Sequence, residues 1–415
     1  MGLTVSGFTA ALNLRKSWPA RRWLDLAWLV ALGALLAYGL NLYRSGWLCA
    51  YMGTDFRGYY ASAQIALERG FPAVYDPQAQ AEFQADLRHD CPDPDYPQPM
   101  PRVSMPYLPV FVLPFLPLTL LDFTASYLLW VALNLGLLVA YLAYFSKATG
   151  AKITGFRLAQ WVICIPVISN LFLGQMNLWL VVCLGEFTRY MMRAERVRSG
   201  FWLGVMLLKP HTLALLLPGL ALSHNWGALL GFLFSLLIIL GSSFLLAGLQ
   251  GLAANALLMI RFAGPLIQTA PAMMNYRALA LHLGGGLPAW IAWAIGIAAM
   301  GLAALAVLRY WRGGSIGSRE RLALLLLATL AGTFAVVWHS HFYLQMCLIP
   351  FLLYLDRRRE LPPAVFSIWL FGPFILFGAA SVLNPEMLRN LFGMGMLALN
   401  QFLLAWAAWR LAKLE

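Results

Sequence analysis

The groups able to do chemistry are few, and they sit in short polar windows between long apolar runs. The first window, Gly53-Thr54-Asp55-Phe56-Arg57-Gly58-Tyr59-Tyr60, holds an acid, a cation and two phenols. Gln175 and Asn177 stand in Gly-Gln-Met-Asn, and Lys209 and His211 in Leu-Lys-Pro-His. Asn275 and Arg277 stand in Asn-Tyr-Arg, and His339 and His341 in Trp-His-Ser-His. One carboxylate among several cations suits a displacement in which the acid takes a proton from an acceptor hydroxyl and the cations receive a phosphate leaving group. No P-loop and no Gly-x-Gly-x-x-Gly in a strand context is present to cradle a nucleotide. A lipid-linked phosphate donor is therefore expected, with no metal and no cofactor, because the cations can supply the electrostatics.

Each residue also has a plainer reading. Asp55 could cap the amphipathic helix expected over 56–69. Lys209 could snorkel to the interface. His339 and His341 could be interfacial residues with satisfied hydrogen bonds. Gln175 and Asn177 could close a tight turn, and Arg277 could be a solvated loop charge. Glu186 reads as a partner of Arg189 or Arg193. Shared sidedness favours chemistry: the expected topology brings all the windows to one face of a membrane, where ionisable groups are costly and often functional.

That topology follows from composition and charge. The chain is 61% hydrophobic and 11% charged, against roughly 25% charged for a soluble domain. It reads as an all-α polytopic membrane protein. Apolar runs at 23–43, 123–145, 157–173, 177–193, 227–249, 287–309, 321–338, 341–355, 362–383 and 388–411 are candidate spans. Two further runs, 106–121 and 201–222, are interrupted by prolines, which remove helix donors. If 201–222 crossed as a simple span, Arg309, Arg312, Arg319, Arg321 and Arg357 to Arg359 would fall outside, against the positive-inside rule. The same reasoning applies to 106–121, since Lys147, Lys152 and Arg157 belong in the cytoplasm. Both runs are expected to be broken or re-entrant.

The whole chain, 1–415, reads as one transmembrane bundle of about ten to twelve helices. Its first helix is 23–43, preceded by Arg15, Lys16, Arg21 and Arg22, so it is expected to stay uncleaved with both termini cytoplasmic. A long, net acidic loop over 44–105 and a second loop over about 250–286 are expected outside the cell's inner (plasma) membrane. The net charge of +12 is explained by basic cytoplasmic loops, and nucleic acid is not an expected partner. Cys164, Cys183 and Cys347 read as small buried hydrophobes. Cys49 and Cys91 share the long loop and could form a disulfide in an oxidising compartment.

The windows resemble a known family in order. The stretch Thr54-Asp55-Phe56-Arg57-Gly58-Tyr59-Tyr60, continuing to Val74-Tyr75-Asp76-Pro77, resembles the first-loop signature of glycosyltransferase family 87. Met105-Pro106-Tyr107-Leu108-Pro109, Gly174-Gln175-Met176-Asn177, Lys209-Pro210, Met274-Asn275-Tyr276-Arg277 and Trp338-His339-Ser340-His341-Phe342-Tyr343 follow in turn, covering about residues 20–360. The resemblance implies a GT-C-like multi-helix bundle with a catalytic carboxylate in the first outer loop. It also implies inverting transfer of a sugar, mannose for known members of bacterial envelopes, from a polyprenyl-phosphate donor to a glycolipid or glycan. Asp55 matches the base. Lys209, Arg277 and the pair His339 and His341 match positions near the donor phosphate. Arg57, Tyr59, Tyr60, Gln175, Asn177, His211 and Asn275 are further substrate-binding candidates. A transporter or flippase of lipid-linked glycans, or an O-antigen-ligase-like transferase, is the competing expectation. The former would place its groups near the midplane and show paired halves.

Overall fold

The computed structural model describes residues 5–44, 46, 51–85, 87, 105–150, 153–263, 270–312, 317–382 and 385–414. Cys49 and Cys91, with any bond between them, lie outside these residues. The described residues are overwhelmingly helical and contain no strand. Helices satisfy their own backbone, as a chain surrounded by lipid requires.

Helix α1 (Val5–Arg44) leads to α2 (Thr54–Arg69) and α3 (Pro77–Gln84) of the first loop. Then come α4 (Phe123–Ala148), the short α5 (Gly155–Val162) and α6 (Ile165–Leu173), and α7 (Asn177–Met191). Helices α8 (Arg196–Trp202) and α9 (Leu216–Leu222) precede the long α10 (Trp226–Ala263). The chain ends with α11 (Tyr276–Leu283), α12 (Ala289–Leu308), α13 (Arg319–Val336), α14 (Ile349–Arg357), α15 (Pro363–Val382) and α16 (Pro385–Ala412).

Among the described residues, five stretches are long and apolar enough to cross a membrane: Arg22–Arg44, Phe123–Ala148, Trp226–Arg261, Ala289–Trp311 and Leu391–Ala412. The pair α5 and α6, bent by 58°, makes a sixth if counted as one span. The protein is therefore a multi-pass membrane protein. The remaining apolar runs form shorter or broken helices. Helix α13 is buried on every side from Leu322 to Ala335, the mark of a helix at the centre of a bundle.

Proline dictates where the elements break. Residues Pro109–Leu120 form a 3-10 helix with Pro114 and Pro117 inside it; neither proline has an N–H for the α-helical ladder. Asp122 then restarts the helix by accepting from the Ala125 N–H at 2.9 Å. Between α5 and α6, Pro166 cannot donate to Val162, and the ladder stops. The Ile163 carbonyl receives Trp28 Nε1 of α1 instead, at 3.2 Å.

The run 201–222 breaks at Lys209, whose φ of −137° and ψ of 75° lie outside the helical region, as the residue before proline prefers. Short 3-10 segments, Leu203–Leu208 and Pro210–Leu213, flank it. A side chain on Gly200 would run into the Ala228 carbonyl, and one on Gly231 into the Val197 carbonyl. The start of α8 and the start of α10 are thus pressed together, so the element returns to the end of the bundle it came from. Lys209 stands at its far turning point.

At that same end, α4 finishes where Arg358 Nη2 donates to the Thr149 carbonyl at 3.4 Å. A cavity of about 440 Å³ nearby is lined by Asp25, Arg157, Asp356, Arg357 and Arg359 with apolar neighbours. Its central groups are paired: Arg157 bonds Asp356 at 3.0 and 3.1 Å and Gln160 at 2.6 Å. Glu186 pairs with Arg189 at 2.9 and 3.0 Å, with Tyr141 Oη at 3.3 Å from the carboxylate. The buried cysteines Cys164, Cys183 and Cys347 are free.

Candidate active site

Helix α2 is set by two glycines. Gly53, at φ 67°, precedes the helix and donates its N–H to the Phe172 carbonyl at 2.8 Å. No side chain caps the helix, so Asp55 is not spent on capping, and its carboxylate is free to face the bundle. On the other side of the contact, Gly174 closes α6 at φ 74°. A Cβ there would meet the Phe56 Cβ at 2.5 Å. Tyr127 Oη bonds the Leu171 and Phe172 carbonyls at 3.1 and 3.0 Å, and Trp130 Nε1 bonds the Gly174 carbonyl at 2.9 Å. Helix α4 thereby fastens the turn on which α2 rests.

The turn carries Gln175 into the site. Its N–H donates to the Asn170 carbonyl at 2.9 Å, and its own carbonyl accepts from Asn170 Nδ2 at 3.2 Å. Asn177 Nδ2 holds Asn170 Oδ1 at 2.8 Å. The Gln175 side chain is left to reach four groups. Nε2 donates to Asp55 Oδ2 and approaches Tyr343 Oη at 3.5 Å. Oε1 accepts from Lys209 Nζ at 3.2 Å and from Tyr59 Oη at 3.1 Å. The opposite amide orientation would set NH2 against an ammonium and oxygen against a carboxylate, so the neighbours fix this one.

Aromatic rings extend the cluster. Tyr59, one helical turn after Asp55, lies 3.3 Å from Tyr107 Oη. Lys209 Nζ stands 5.0 Å from the centre of the Tyr343 ring. His341 stacks on Tyr343 with centroids 5.4 Å apart, His339 meets His341 edge-on at 4.7 Å, and His211 meets His339 at 6.1 Å. Arg277 Nη1 donates to the Trp338 carbonyl at 3.4 Å, its guanidinium lies 4.2 Å over the Trp338 ring, and its charge reaches His339. Lys209 and Arg277 are both buried, and among the described residues neither forms an ion pair. Burial raises the Asp55 carboxyl above its usual range, opposed by the Gln175 bond and the Lys209 charge.

Of the residues singled out from sequence, Asp55, Tyr59, Gln175 and Lys209 meet directly. His211, His339, His341 and Arg277 adjoin them. Four others face elsewhere. Arg57 lies 5.9 Å from the Phe123 ring centre, and Tyr60 Oη bonds the Leu121 carbonyl at 2.7 Å. Asn177 holds the turn, and Asn275 caps α11 through Ala278 N at 3.0 Å while donating to the Val337 carbonyl at 3.0 Å. Tyr107 and Tyr343 belong to the cluster without having been counted as site residues. Each stood inside a motif that resembled the family, which was the available signal.

The model of glycosyltransferase family 87 matches residues 106–340, more than half of the chain. The chain belongs to glycosyltransferase family 87. No curated protein and no solved structure matches it. The family 87 match includes Tyr107, Gln175, Lys209, His211, Arg277 and His339, while Asp55 precedes it and His341 and Tyr343 follow it. The clustering of Asp55 with Gln175 and Lys209 therefore rests on the geometry of this family 87 member itself. A D-x-D spacing, Asp93 and Asp95, falls outside the described residues.

Proposed function

We propose that this glycosyltransferase moves a single hexose or pentose, with mannose the first to test, from a polyprenyl-phosphate sugar to a hydroxyl of an envelope glycolipid or glycan. The observation that carries the reading is the union of one carboxylate and one ammonium, Asp55 and Lys209, on the two ends of the Gln175 amide. Asp55 takes the acceptor proton as the hydroxyl oxygen bonds to the anomeric carbon. The bond from that carbon to the phosphate oxygen breaks, and polyprenyl phosphate leaves with the electron pair. A single in-line displacement inverts the anomeric centre. Lys209 and Arg277, with His339 and His341 beside them, stabilise the departing phosphate. Tyr59, bonded to the Gln175 amide, and His211, beside His339, are the further substrate-binding groups of this reading.

Burial supports this division of roles. An arginine and a lysine kept out of water without an ion pair are costly, and an incoming phosphate would offset that cost. The site lies at the end of the bundle opposite the arginines of residues 357–359, which fits an extracytoplasmic active site with cytoplasmic termini in the inner membrane. The test is a reconstituted assay with polyprenyl-phosphate mannose and envelope glycolipid. Asp55→Asn is expected to cut both transfer and the release of free polyprenyl phosphate by about 10²–10⁴-fold, and full activity of that variant would overturn the reading. Because this reading gives the electrostatics of the departing phosphate to Lys209 and Arg277, treatment with a chelator is expected to leave the rate unchanged.

A further inference from the structure

Asp55 and Lys209 are opposite charges in a poorly hydrated cluster, yet among the described residues no ion pair joins them. Each is instead bonded to a different end of the same amide. The turn that carries this amide needs nothing from it, because three bonds to Asn170 already hold the backbone of Gln175 and the side chain of Asn177. Gln175 is buried, and its remaining contacts are Tyr59 on the oxygen and Tyr343 on the nitrogen. Its side chain is therefore fixed from both sides, with one task left.

We infer that Gln175 is a positioning residue that holds the Asp55 carboxylate and the Lys209 ammonium one amide apart, so that they do not collapse into an ion pair. The inference rests on the proposed transfer reaction. A direct pair would lower the basicity of Asp55 and tie up the ammonium meant for the leaving phosphate. Through the amide, the carboxylate keeps a free oxygen for the acceptor, and the ammonium keeps donors for the phosphate. The other ionisable groups facing Asp55 are Tyr59 from its own helix, Tyr107 from the segment before the 3-10 helix Pro109–Leu120, and Tyr343 from the 3-10 helix Phe342–Leu348. His211 from its own element, His339 and His341 from the turn after α13, and Cys347 from the 3-10 helix Phe342–Leu348 face Lys209. None of these supplies a second cation within the bonded set.

The test titrates Asp55 in the full-length purified protein by pH-dependent carbodiimide labelling, read by peptide mass spectrometry. Four proteins are compared: wild type, Gln175→Met, Lys209→Met and the double variant. In Gln175→Met the carboxylate is released onto Lys209, and its midpoint is expected to fall by about one to three pH units. In the Lys209→Met background the same substitution only removes a hydrogen bond, and the midpoint is expected to rise. This reversal of sign is not produced by a turn-stabilising role. A midpoint that rises or stays fixed in Gln175→Met overturns the inference, and Gln175→Ala carries the same expectation if the methionine variant does not fold. Labelling requires no turnover. A wild type that fails to transfer from polyprenyl-phosphate mannose would overturn the donor reading, while the sign of the midpoint change would still decide the role of Gln175.

Discussion

Gly174 and Phe56 are so close that a methyl group on Gly174 would stand 2.5 Å from the Phe56 Cβ. The contact lies one residue from Asp55 and one residue from Gln175, so the spacing of acid and amide is set by how nearly two backbones can touch. Gly174→Ala is expected to cost about 1–3 kcal/mol from overpacking and about 1–2 kcal/mol from the left-handed backbone. Thermal unfolding in detergent would measure the loss. Transfer should fall further than stability does, because α2 is pushed off the turn that carries Gln175.

Asp55→Asn should separate catalysis from folding. Loss of the proposed base is expected to reduce kcat by about 10²–10⁴-fold. Burial raises the folded pKa of Asp55, so the folded state holds its proton more tightly than the unfolded state. The wild type therefore loses stability as pH rises from the unfolded pKa through the folded one. Asparagine lacks that loss. The variant is expected to melt no lower than the wild type at neutral pH, with the gap closing below the unfolded pKa. A lower melting temperature at pH 7 would count against the assignment.

The rate should follow the same group. With Asp55 as base, kcat/KM is expected to climb as pH rises through a value above the ordinary carboxylate range, since burial is the largest influence on it. Lys209 pulls that value down. Lys209→Met should move the acid limb to higher pH, and a pH–rate series on both proteins would show it.

Lys209 and Arg277 should differ in the size of their effect. Lys209 bonds the amide that also holds Asp55, whereas Arg277 adjoins the cluster through Trp338 and His339. Lys209→Met is expected to lower kcat by about 10²-fold. Arg277→Met is expected to lose less in kcat and more in donor affinity. Separate kcat and KM measurements with varied donor concentration would distinguish them.

Much of the site was legible because polar residues are scarce in this chain and expensive where they occur. Lys209 before Pro210 reads as both a charge and a break, and the backbone does leave the helical region there. Helical phase was not visible in the same way. Asp55 and Tyr59 lie one turn apart and share a face, while Arg57 and Tyr60 lie on the other side of α2, against Phe123 and Leu121. Asn177, open to either a turn or a ligand from sequence, bonds the turn, and the substrate-binding candidate Asn275 caps α11. Tyr107 and Tyr343 lie inside the family-like motifs but carry no separate signal of a site, because tyrosine is common at membrane interfaces and its burial cannot be read from its neighbours. The prolines announced the breaks in 106–121 and 201–222, but the bend between α5 and α6 fell inside a run that looked like a plain span.

The long helix α10 changes direction at Gly248, where φ is 62° and ψ is −174°. Only glycine occupies that region without strain. No atom lies within 4 Å of where its Cβ would be. Beyond the kink, Gly251 approaches Pro72, and Asn255 Nδ2 bonds the Tyr107 carbonyl at 3.0 Å. A residue with open space where a side chain would stand thus aims the half of the helix that steadies a tyrosine beside Asp55. Replacing it would leave every local contact in place and be felt only at a distance, as a change of heading.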